Sequence, residues 1–446
     1  MIKKILIANR AEVVSRIART CQKMGVKTVG IYSEADKDSP YLSSVDETVC
    51  VGPSNPTESY LNIQAIIDAA NKTGADAVHP GYGFLSERGI FAKAVTDSGM
   101  SWIGPQPEIL LAISSKCYMR QLAVEVGAEV TPGTLNPVKS PEEVVSFGEA
   151  YGWPVFLKLD KGGGGKGIEK VTSPSKVAEV LDRTTSIGKA AFGSGDCYIE
   201  TVVLNPRHIE VQFIADKAGN VVCLGERECS IQRRHQKIIE EALSPVVTPA
   251  DREILFANTK AIIKKLGYTG AGTIECLRTQ KGKYYFMELN ARLQVEHPVS
   301  EFITGQDIVQ RQIEIASGAE LDVTQNDINF MGHSIEARIY AEDPETFYPS
   351  PGTINKVTLP KIGKNLRVDH NLSDGCVVPP FYDPMLAKVI SWAEDRPKAV
   401  AYLIQALKEF EIEGVKTNIP INLRILEHRK FFDRSMDTGF IDNYLS

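Results

Sequence analysis

A run of glycines between two strand-like segments is the feature that most constrains what this sequence can fold into. Residues 158–167 read KLDKGGGGKG. A Walker A loop requires Ser or Thr after its Gly-Lys pair, but Gly167 follows Lys166 here. A Rossmann loop requires a helix next, whereas residues 168–171 have the pattern of a strand. The run therefore predicts a hairpin loop that closes over a triphosphate, with Lys158 and Lys166 supplying positive charge. The alternative is a plain mobile loop, although consecutive glycines cost conformational entropy without any gain in packing.

Acidic residues on two neighbouring strand-like segments predict a metal site. Glu275 lies in residues 273–277, and Glu288 and Asn290 lie in residues 283–290 after a short turn. Because side chains alternate along a strand, Glu288 and Asn290 share one face. Carboxylate and amide oxygens suit Mg²⁺, and phosphates can complete its coordination. Taken alone, the same residues also fit the ordinary charged face of a hairpin.

Two polar runs strengthen the prediction of a site. In residues 290–298, Arg292 suits bidentate binding of an anion and Glu296 is a candidate general base. His297 is expected to be a structural hydrogen-bonding residue rather than a catalyst. Residues 226–237 mix carboxylates with Arg, His and Lys, so this run is either a strand through a cleft or a solvated surface strand.

The N-terminal part of the chain alternates strand and helix patterns. Three buried strands are predicted at residues 4–8, 27–33 and 76–79, with amphipathic helices at residues 11–24 and 60–70. Such alternation indicates a parallel sheet covered by helices. The turn after the first strand does not read GxGxxG, so the dinucleotide-binding fingerprint is missing.

Later segments carry clear helix boundaries. Ser140 and Thr248 are each followed by proline and begin helix-start patterns, and Gly267 is a candidate C-terminal cap. From Gly332 onward we expect short strands with Pro and Gly turns, then one helix around residues 398–410.

Composition argues against several classes of protein. The 50 Lys and Arg residues are outnumbered by 56 Asp and Glu residues, for a formal charge of −6, which disfavours a nucleic-acid partner. No apolar stretch reaches the length of a membrane span, so no membrane partner is expected. Eight cysteines without a CxxC pair indicate neither a zinc site nor a disulfide framework, and we expect a cytoplasmic location.

Several motifs in a fixed order resemble those of biotin carboxylase, the ATP-grasp component of biotin-dependent carboxylases, over essentially the whole chain. They are residues 7–10 (IANR), 79–87 (HPGYGFLSE), the glycine run, 233–237 (RRHQK), 292–298 (RLQVEHP) and 349–352 (PSPG). The resemblance implies a mixed α/β and α+β fold class. It implies a Rossmann-like (pre-ATP-grasp) domain at residues 1–115, an ATP-grasp domain at 116–331 with a mobile lid at about 131–203, and a mixed β domain at 332–446.

The resemblance also implies roles for single residues. The implied ATP contacts are Lys116, Lys158, Gly164 and Gly165 at the phosphates, Glu200, Thr201, Val202 and Val203 at the adenine, and His208, Gln232 and His235 at the nucleotide. The implied metal ligands are Glu275, Glu288 and Asn290. The implied bicarbonate contacts are Lys237, Arg292, Gln294 and Val295, with Glu296 as the base and Arg338 at the biotin enolate.

The implied reaction uses ATP, Mg²⁺ or Mn²⁺, bicarbonate and biotin. ATP and bicarbonate form carboxyphosphate, which releases CO2; phosphate removes the N1′ proton of biotin, and the enolate captures CO2. This would be the first half-reaction of an acyl-CoA carboxylase, with a biotin carboxyl carrier protein, a carboxyltransferase and a second copy of the chain as partners. No Met-Lys-Met sequence occurs, so we expect the biotin to arrive on a separate chain.

Two other functions stay open at this point. Another ATP-grasp carboxylate ligase would share the glycine run and the metal carboxylates without requiring Arg338. A non-catalytic nucleotide-sensing subunit should have lost a residue such as Glu296 or Lys237, and both are present.

The sequence also departs from the family pattern. Ala11 stands where the family usually has glycine, Lys161 replaces the first glycine of the loop, and Thr201 replaces a lysine. The expected consequences concern loop closure and ATP affinity, not the class of reaction.

Overall fold

Five parallel strands form the N-terminal layer of the protein. The computed structural model describes residues 2–162 and 167–445. The strands are β1 (Lys4–Ile7), β2 (Lys27–Tyr32), β3 (Glu47–Cys50), β4 (Ala77–His79) and β5 (Ser101–Trp102), in the order β3-β2-β1-β4-β5. The helices of this layer are α1 (Glu12–Met24), α2 (Ile63–Thr73), α3 (Gly89–Asp97) and α4 (Pro107–Ile113), and helix α5 (Lys116–Glu125) follows it in the chain. The predicted parallel sheet is confirmed.

Local sequence explains most of this layer. Helix α1 buries Val13, Val14 and Ile17 at helical spacing and ends where Gly25 adopts a left-handed conformation with φ 70°. The prediction missed β3, so the strand at residues 76–79 is the fourth rather than the third. Strand β3 lies at the edge of the sheet and is largely exposed, and it therefore lacks the buried apolar pattern that marks its neighbours.

Two of the sequence motifs lie at the carboxyl edge of this sheet, directly after strands β1 and β4. Strands β1 and β4 are neighbours at the point where strand order reverses, which is where open parallel sheets usually form a binding crevice. The Asn9 side chain, just after β1, donates hydrogen bonds to the carbonyls of Pro80 at 2.8 Å and Tyr82 at 2.7 Å. These bonds fix the loop that carries Tyr82 and Glu87.

A small antiparallel sheet follows, with the order β7-β6-β8. Its elements are helix α6 (Pro141–Tyr151), strands β6 (Val155–Leu159) and β7 (Ile168–Val171), helix α7 (Val177–Phe192) and strand β8 (Cys197–Thr201). Strands β6 and β7 pair on either side of the glycine run, as predicted for a hairpin. This unit has its own buried apolar cluster, which includes Val144, Leu157, Val180 and Ile199. The predicted loop residues Gly164, Gly165 and Lys166 lie outside the described residues.

An eight-stranded antiparallel sheet forms the centre of the protein. The remaining strands are β9 (Arg207–Ala215), β10 (Val221–Arg233), β11 (Gln236–Ala242), β12 (Gly270–Arg278), β13 (Tyr284–Asn290), β14 (His333–Tyr340), β15 (Gly352–Thr353), β16 (Lys356–Thr358), β17 (Leu366–His370), β18 (Val377–Val378), β19 (Met385–Ala393) and β20 (Glu411–Glu413). The large sheet has the order β13-β12-β9-β10-β11-β14-β19-β17, and β15-β18 and β16-β20 form two small ribbons. The sheet is therefore continuous across residue 332.

The remaining helices pack around this sheet. They are α8 (Pro249–Leu266), α9 (His297–Thr304), α10 (Ile308–Ala316), α11 (Arg396–Glu409), α12 (Ile419–Leu426), α13 (Arg429–Phe432) and α14 (Phe440–Tyr444). Helix α8 begins with a capping box between Thr248 and Asp251 and ends at Gly267, as the sequence predicts. Short 3-10 turns lie at Glu34–Asp36, Pro40–Ser44, Pro56–Glu58, Pro174–Lys176 and Gln325–Asp327.

The prediction for the C-terminal part was partly wrong. The helix predicted around residues 398–410 is α11, but three further helices follow it. Strands β14 and β19, with 8 and 9 residues, are not short, because they belong to the buried large sheet rather than to surface turns. Within residues 2–162 and 167–445, no helix combines the length and apolarity needed to cross a membrane.

Candidate active site

The hairpin of β10 and β11 buries residues 226–233 of the polar run and exposes the turn residues 234–235. Every residue of β10 is buried, so the prediction of a strand through a cleft is confirmed and the solvated-surface alternative is wrong. The connecting turn is Arg234-His235, and both residues have positive φ, 50° and 65°, as a tight two-residue hairpin requires. Lys237 thereby pairs opposite Gln232, while His235 is exposed in the turn.

Lys237 is the cation at the centre of the site. Its Nζ lies 2.6 Å from a carboxylate oxygen of Glu210, 2.9 Å from Glu275 and 2.8 Å from Glu296. Burial alone would lower the pKa of Lys237, but these three carboxylates hold it well above its usual range. The three carboxylates therefore favour the ammonium form of Lys237.

Glu296 is fully buried between two cations. Its Oε1 accepts from Lys237 and its Oε2 accepts from Arg338 Nη2 at 3.0 Å. Burial alone would raise the pKa of Glu296, but Lys237, Arg338 and Arg227 hold it well below its usual range. Arg338 is also bound by Glu240, whose Oε1 lies 2.6 Å from Arg338 Nε. Glu296 is consequently a carboxylate, the form able to accept a proton.

Arg292 is oriented by three side-chain partners. Its Nε donates to Glu87 Oε2 at 3.0 Å, its Nη1 to Gln294 Oε1 at 2.9 Å and its Nη2 to Asn290 Oδ1 at 3.0 Å. Glu87 also accepts from the Ala291 amide at 3.1 Å. The motif loop of the N-terminal sheet therefore fixes the orientation of an arginine that lies just after β13 of the central sheet.

The predicted metal ligands come together. Glu275 on β12 and Glu288 on β13 are direct cross-strand partners, and Asn290 shares the face of Glu288. Lys116 lies with its Nζ 2.6 Å from Glu288 Oε2. Asn290 Oδ1 accepts from Arg292 Nη2, while the buried Nδ2 has no hydrogen-bond partner among the described residues and, as a donor, suits an anionic oxygen rather than a metal ion. Carboxylate and amide oxygens on one surface fit Mg²⁺.

Two other groups of side chains have metal-ligand spacing, His208–Glu210–Glu275 and Glu210–Cys229–Glu296. Both groups surround Lys237, whose ammonium already contacts all three of their carboxylates. A lysine at this point supplies the positive charge that a metal would otherwise supply. Glu275 and Glu288 also contact lysines, Lys237 and Lys116, so a metal ion on this pair would displace existing ion pairs as well.

Four of the predicted nucleotide contacts lie on the two neighbouring sheets, Lys158 and Glu200 on the small sheet and His208 and Gln232 on the large sheet. Glu200 on β8 forms ion pairs with Lys158 on β6 and with Arg120 Nη1, the latter at 3.2 Å. The Thr201 amide donates to the Pro132 carbonyl at 2.9 Å, so the backbone at this position is engaged whatever the side chain. Val202 and Val203 follow, partly buried, and His208 Nδ1 lies 2.8 Å from Gln232 Nε2.

His297 has the structural role that the sequence predicts. Its ring is fully buried, with Nδ1 2.7 Å from the Gln294 carbonyl and Nε2 accepting from Arg16 Nε at 3.1 Å. These bonds hold the start of α9 beside Glu296.

Sequence reasoning missed several charged residues of the site. Glu210 contacts Lys237 and Glu240 contacts Arg338 directly. Arg227 binds Glu210 and is fully buried, with Nη1 2.7 Å from Gln212 Oε1. A signal was present, since polar residues alternate with apolar ones along residues 208–212. Polar residues at every second position of a strand that is buried on both faces indicate an internal polar site.

Comparison with known proteins agrees with this geometry. Family models match residues 1–110 (biotin carboxylase, N-terminal domain), 115–324 (carbamoyl-phosphate synthase L chain, ATP binding domain) and 336–443 (biotin carboxylase C-terminal domain). Biotin carboxylase of Halalkalibacterium halodurans is 46% identical over 445 residues, covering 100% of this chain and 98% of the relative.

Solved structures agree as well. The crystal structure of a biotin carboxylase–β-γ-ATP complex from Campylobacter jejuni matches with a TM-score of 0.96 and 42% identity, covering 100% of this chain and 99% of that one. The biotin carboxylase domain dimer of Hydrogenobacter thermophilus 2-oxoglutarate carboxylase, solved with MgADP, ADP and bicarbonate, matches with a TM-score of 0.95 and 41% identity, covering 100% and 98%. The predicted family is confirmed: this chain belongs to the biotin carboxylases, ATP-dependent ligases with an ATP-grasp fold.

Proposed function

We propose that this chain carboxylates biotin at the expense of ATP and bicarbonate, in the cleft where the β10–β11 hairpin meets the start of α9. The observation that carries the proposal is the fully buried Glu296 held between Lys237 and Arg338. A buried base flanked by two cations is suited to an anionic substrate that must lose a proton.

Bicarbonate binds beside Lys237 and Arg292 in this proposal, with Gln294 and Val295 completing its contacts. Glu296 accepts the bicarbonate proton. An anion next to Lys237 takes up part of the positive charge that holds the pKa of Glu296 down, so Glu296 becomes a stronger base when the substrate is present.

ATP binds between the small and large sheets. Lys116 and Lys158 face the phosphates in this proposal, Glu200 to Val203 line the adenine pocket, and His208, Gln232 and His235 lie at the nucleotide. Mg²⁺ or Mn²⁺ on Glu275, Glu288 and Asn290 would neutralise phosphate charge during transfer. Both lysines already bind carboxylates, Lys116 with Glu288 and Lys158 with Glu200. Nucleotide phosphates would therefore compete with these carboxylates for the lysine side chains.

Arg338 stabilises the biotin enolate. Its guanidinium is fixed by Glu240 and Glu296, and burial of this trio preserves the strength of the interaction with a developing oxyanion. Fixed donors of this kind need no reorganisation as charge develops.

The domain division proposed for this function is 1–115, 116–331 and 332–446, with a lid at about 131–203. The matches of the family models and the separate apolar cluster of the small sheet support it. The large sheet runs through the boundary at 332, so movement is expected in the lid rather than between the last two domains.

Partners follow from the reaction. We propose a homodimer, by analogy with the Hydrogenobacter thermophilus domain dimer, a biotin carboxyl carrier protein and a carboxyltransferase. An acyl-CoA acceptor is the proposal for the second half-reaction. All eight cysteines are free, which supports a reducing cytoplasm as the compartment.

The test is an ADP-release assay in carefully degassed buffer. Omitting bicarbonate should abolish turnover, and omitting free biotin should reduce it. Equal ADP release with and without bicarbonate would instead point to a ligase for a different carboxylate.

A further inference from the structure

Lys388 is a fully buried cation that the proposed reaction does not use. It lies in the middle of β19, and its Nζ donates to the Val295 carbonyl at 2.8 Å. The nearest carboxylates are Glu12, with Oε1 3.4 Å away, and Asp369, with Oδ2 4.0 Å away. The Tyr82 ring centre lies 5.9 Å from the ammonium. A buried lysine without a tight ion pair is costly, so its hydrogen bond to a carbonyl requires an explanation.

The position of Lys388 in the sheet connects it to the site. It is the direct cross-strand partner of Arg338 on one side and of Asp369 on the other. Asp369 is engaged by the guanidinium of Arg367, whose Nε lies 3.0 Å from both of its oxygens. The strongest contact left to Lys388 is the carbonyl immediately before Glu296.

We propose that Lys388 is a positioning residue for the bicarbonate site, fixing the backbone of residues 294–296 through the Val295 carbonyl. This inference rests on the proposed function, in which Val295 and Glu296 contact bicarbonate. The same ammonium also binds Glu12, and the Tyr82 hydroxyl donates to Glu12. Lys388 thereby joins the N-terminal layer, the central sheet and the loop that leads into α9.

The first variant is Lys388→Met, which keeps the length of the side chain and removes its charge and donors. Loss of a hydrogen bond from a charged group to a buried carbonyl should raise the KM for bicarbonate about 10- to 100-fold. The KM for ATP should stay within about twofold, because no described residue of the nucleotide site contacts Lys388.

The double variant Lys388→Met/Glu12→Gln distinguishes positioning of the bicarbonate site from a purely structural role of Lys388 as the counter-ion of Glu12. Removing Lys388 alone leaves Glu12 buried without its cation, which destabilises the fold for reasons unrelated to bicarbonate. The double variant removes both charged partners together, so it leaves no unpaired buried charge. The double variant should melt close to the parent protein and still show the raised KM for bicarbonate, while Glu12→Gln alone should keep the parental KM.

Each outcome of this experiment is decisive. A parental bicarbonate KM in the double variant would show that Lys388 is only the counter-ion of Glu12, and the inference would be overturned. Equal rises in both KM values would also overturn it, because the defect would be general. If the parent protein itself needs no bicarbonate, the proposed function fails rather than this inference.

Discussion

The two ends of the site are built in different ways. At the bicarbonate end, Glu296, just before α9, is fully buried and pairs with Lys237 and Arg338 of the central sheet. At the nucleotide end, Lys158 and Glu200 belong to a small sheet with its own apolar cluster. The first end is preorganised before any substrate binds, which is how charged sites lower the cost of reorganisation. The second end depends on how a separately packed unit sits over the large sheet.

The largest effect is expected where the two ends meet, at Glu288. Glu288→Lys should abolish Mg²⁺-dependent turnover, because a cation there repels the metal and leaves the triphosphate charge unneutralised. Glu288→Gln should keep residual activity, because it retains an oxygen ligand. Steady-state ADP release is the measurement, with Glu253→Lys, an exposed charge reversal on α8, as the control. Normal activity of Glu288→Lys at ordinary Mg²⁺ would remove Glu288 from the site.

Removing the base should affect only the bicarbonate end. Glu296→Gln is expected to lower the turnover rate about 10²- to 10⁴-fold, the usual contribution of a general base. ATP affinity measured by calorimetry should be nearly unchanged, because Glu296 contacts Lys237 and Arg338 rather than the nucleotide residues. A large loss of ATP affinity in a folded variant would mean that Glu296 also contributes to nucleotide binding, contrary to its assignment to the bicarbonate end.

The buried ion pairs of the central sheet should also contribute to the free energy of unfolding. Glu241 accepts from Arg396 Nε at 2.6 Å and lies 2.7 Å from His333 Nε2. Burial alone would raise the pKa of Glu241, but Arg396 and His333 lower it to about 2. The lowered pKa means that this stabilisation is present above the unfolded pKa of about 4.3 and is lost as pH falls toward 2.

Denaturant unfolding of Glu241→Gln tests this expectation. The variant should lose about 3–5 kcal/mol at pH 7, the cost of breaking a buried pair, and the deficit should shrink at low pH. Glu427→Gln, at an exposed pair with Lys408, should cost at most about 1 kcal/mol. A deficit that is independent of pH would contradict an electrostatic origin.

The nucleotide end should respond to Lys158 without disturbing the base. Lys158→Met is expected to weaken ATP binding about tenfold, because one charge-assisted contact is lost. The bicarbonate KM should not change. Lys170→Met, an exposed lysine on the neighbouring strand β7, serves as the matched control. Equal ATP affinity in the two variants would exclude Lys158 from phosphate binding.

The smallest effect lies outside both ends, at Ala11. This residue has φ 61° and ψ −144°, a conformation that favours glycine, which the family usually carries there. Ala11→Gly should therefore raise the free energy of unfolding by about 1 kcal/mol and leave the kinetics unchanged. Ala18→Gly, in the interior of α1, should instead destabilise by about 0.5–1 kcal/mol. A loss of stability in Ala11→Gly would show that the strain is absent.

The contrast between the ends also explains what the sequence could predict. The hairpin strands around the glycine run and the shared face of Glu288 and Asn290 depend on near neighbours, so local patterns were sufficient. Glu240 was missed because its partner Arg338 is 98 residues away, and only the register of β11 with β14 brings them together. Residue type and spacing already made Glu296 a candidate base, Arg292 a candidate anion-binding residue and Glu288 a candidate metal ligand. The adenine contacts and the role of Arg338 came only from the family resemblance.

Transfer of label from radiolabelled bicarbonate to free biotin is the most direct test of the central claim. The account predicts labelled carboxybiotin, formed only with ATP and Mg²⁺ and in step with ADP, and its loss in Glu296→Gln while ATP binding persists. ADP release that requires bicarbonate but never labels biotin would contradict it, as would label in another acceptor.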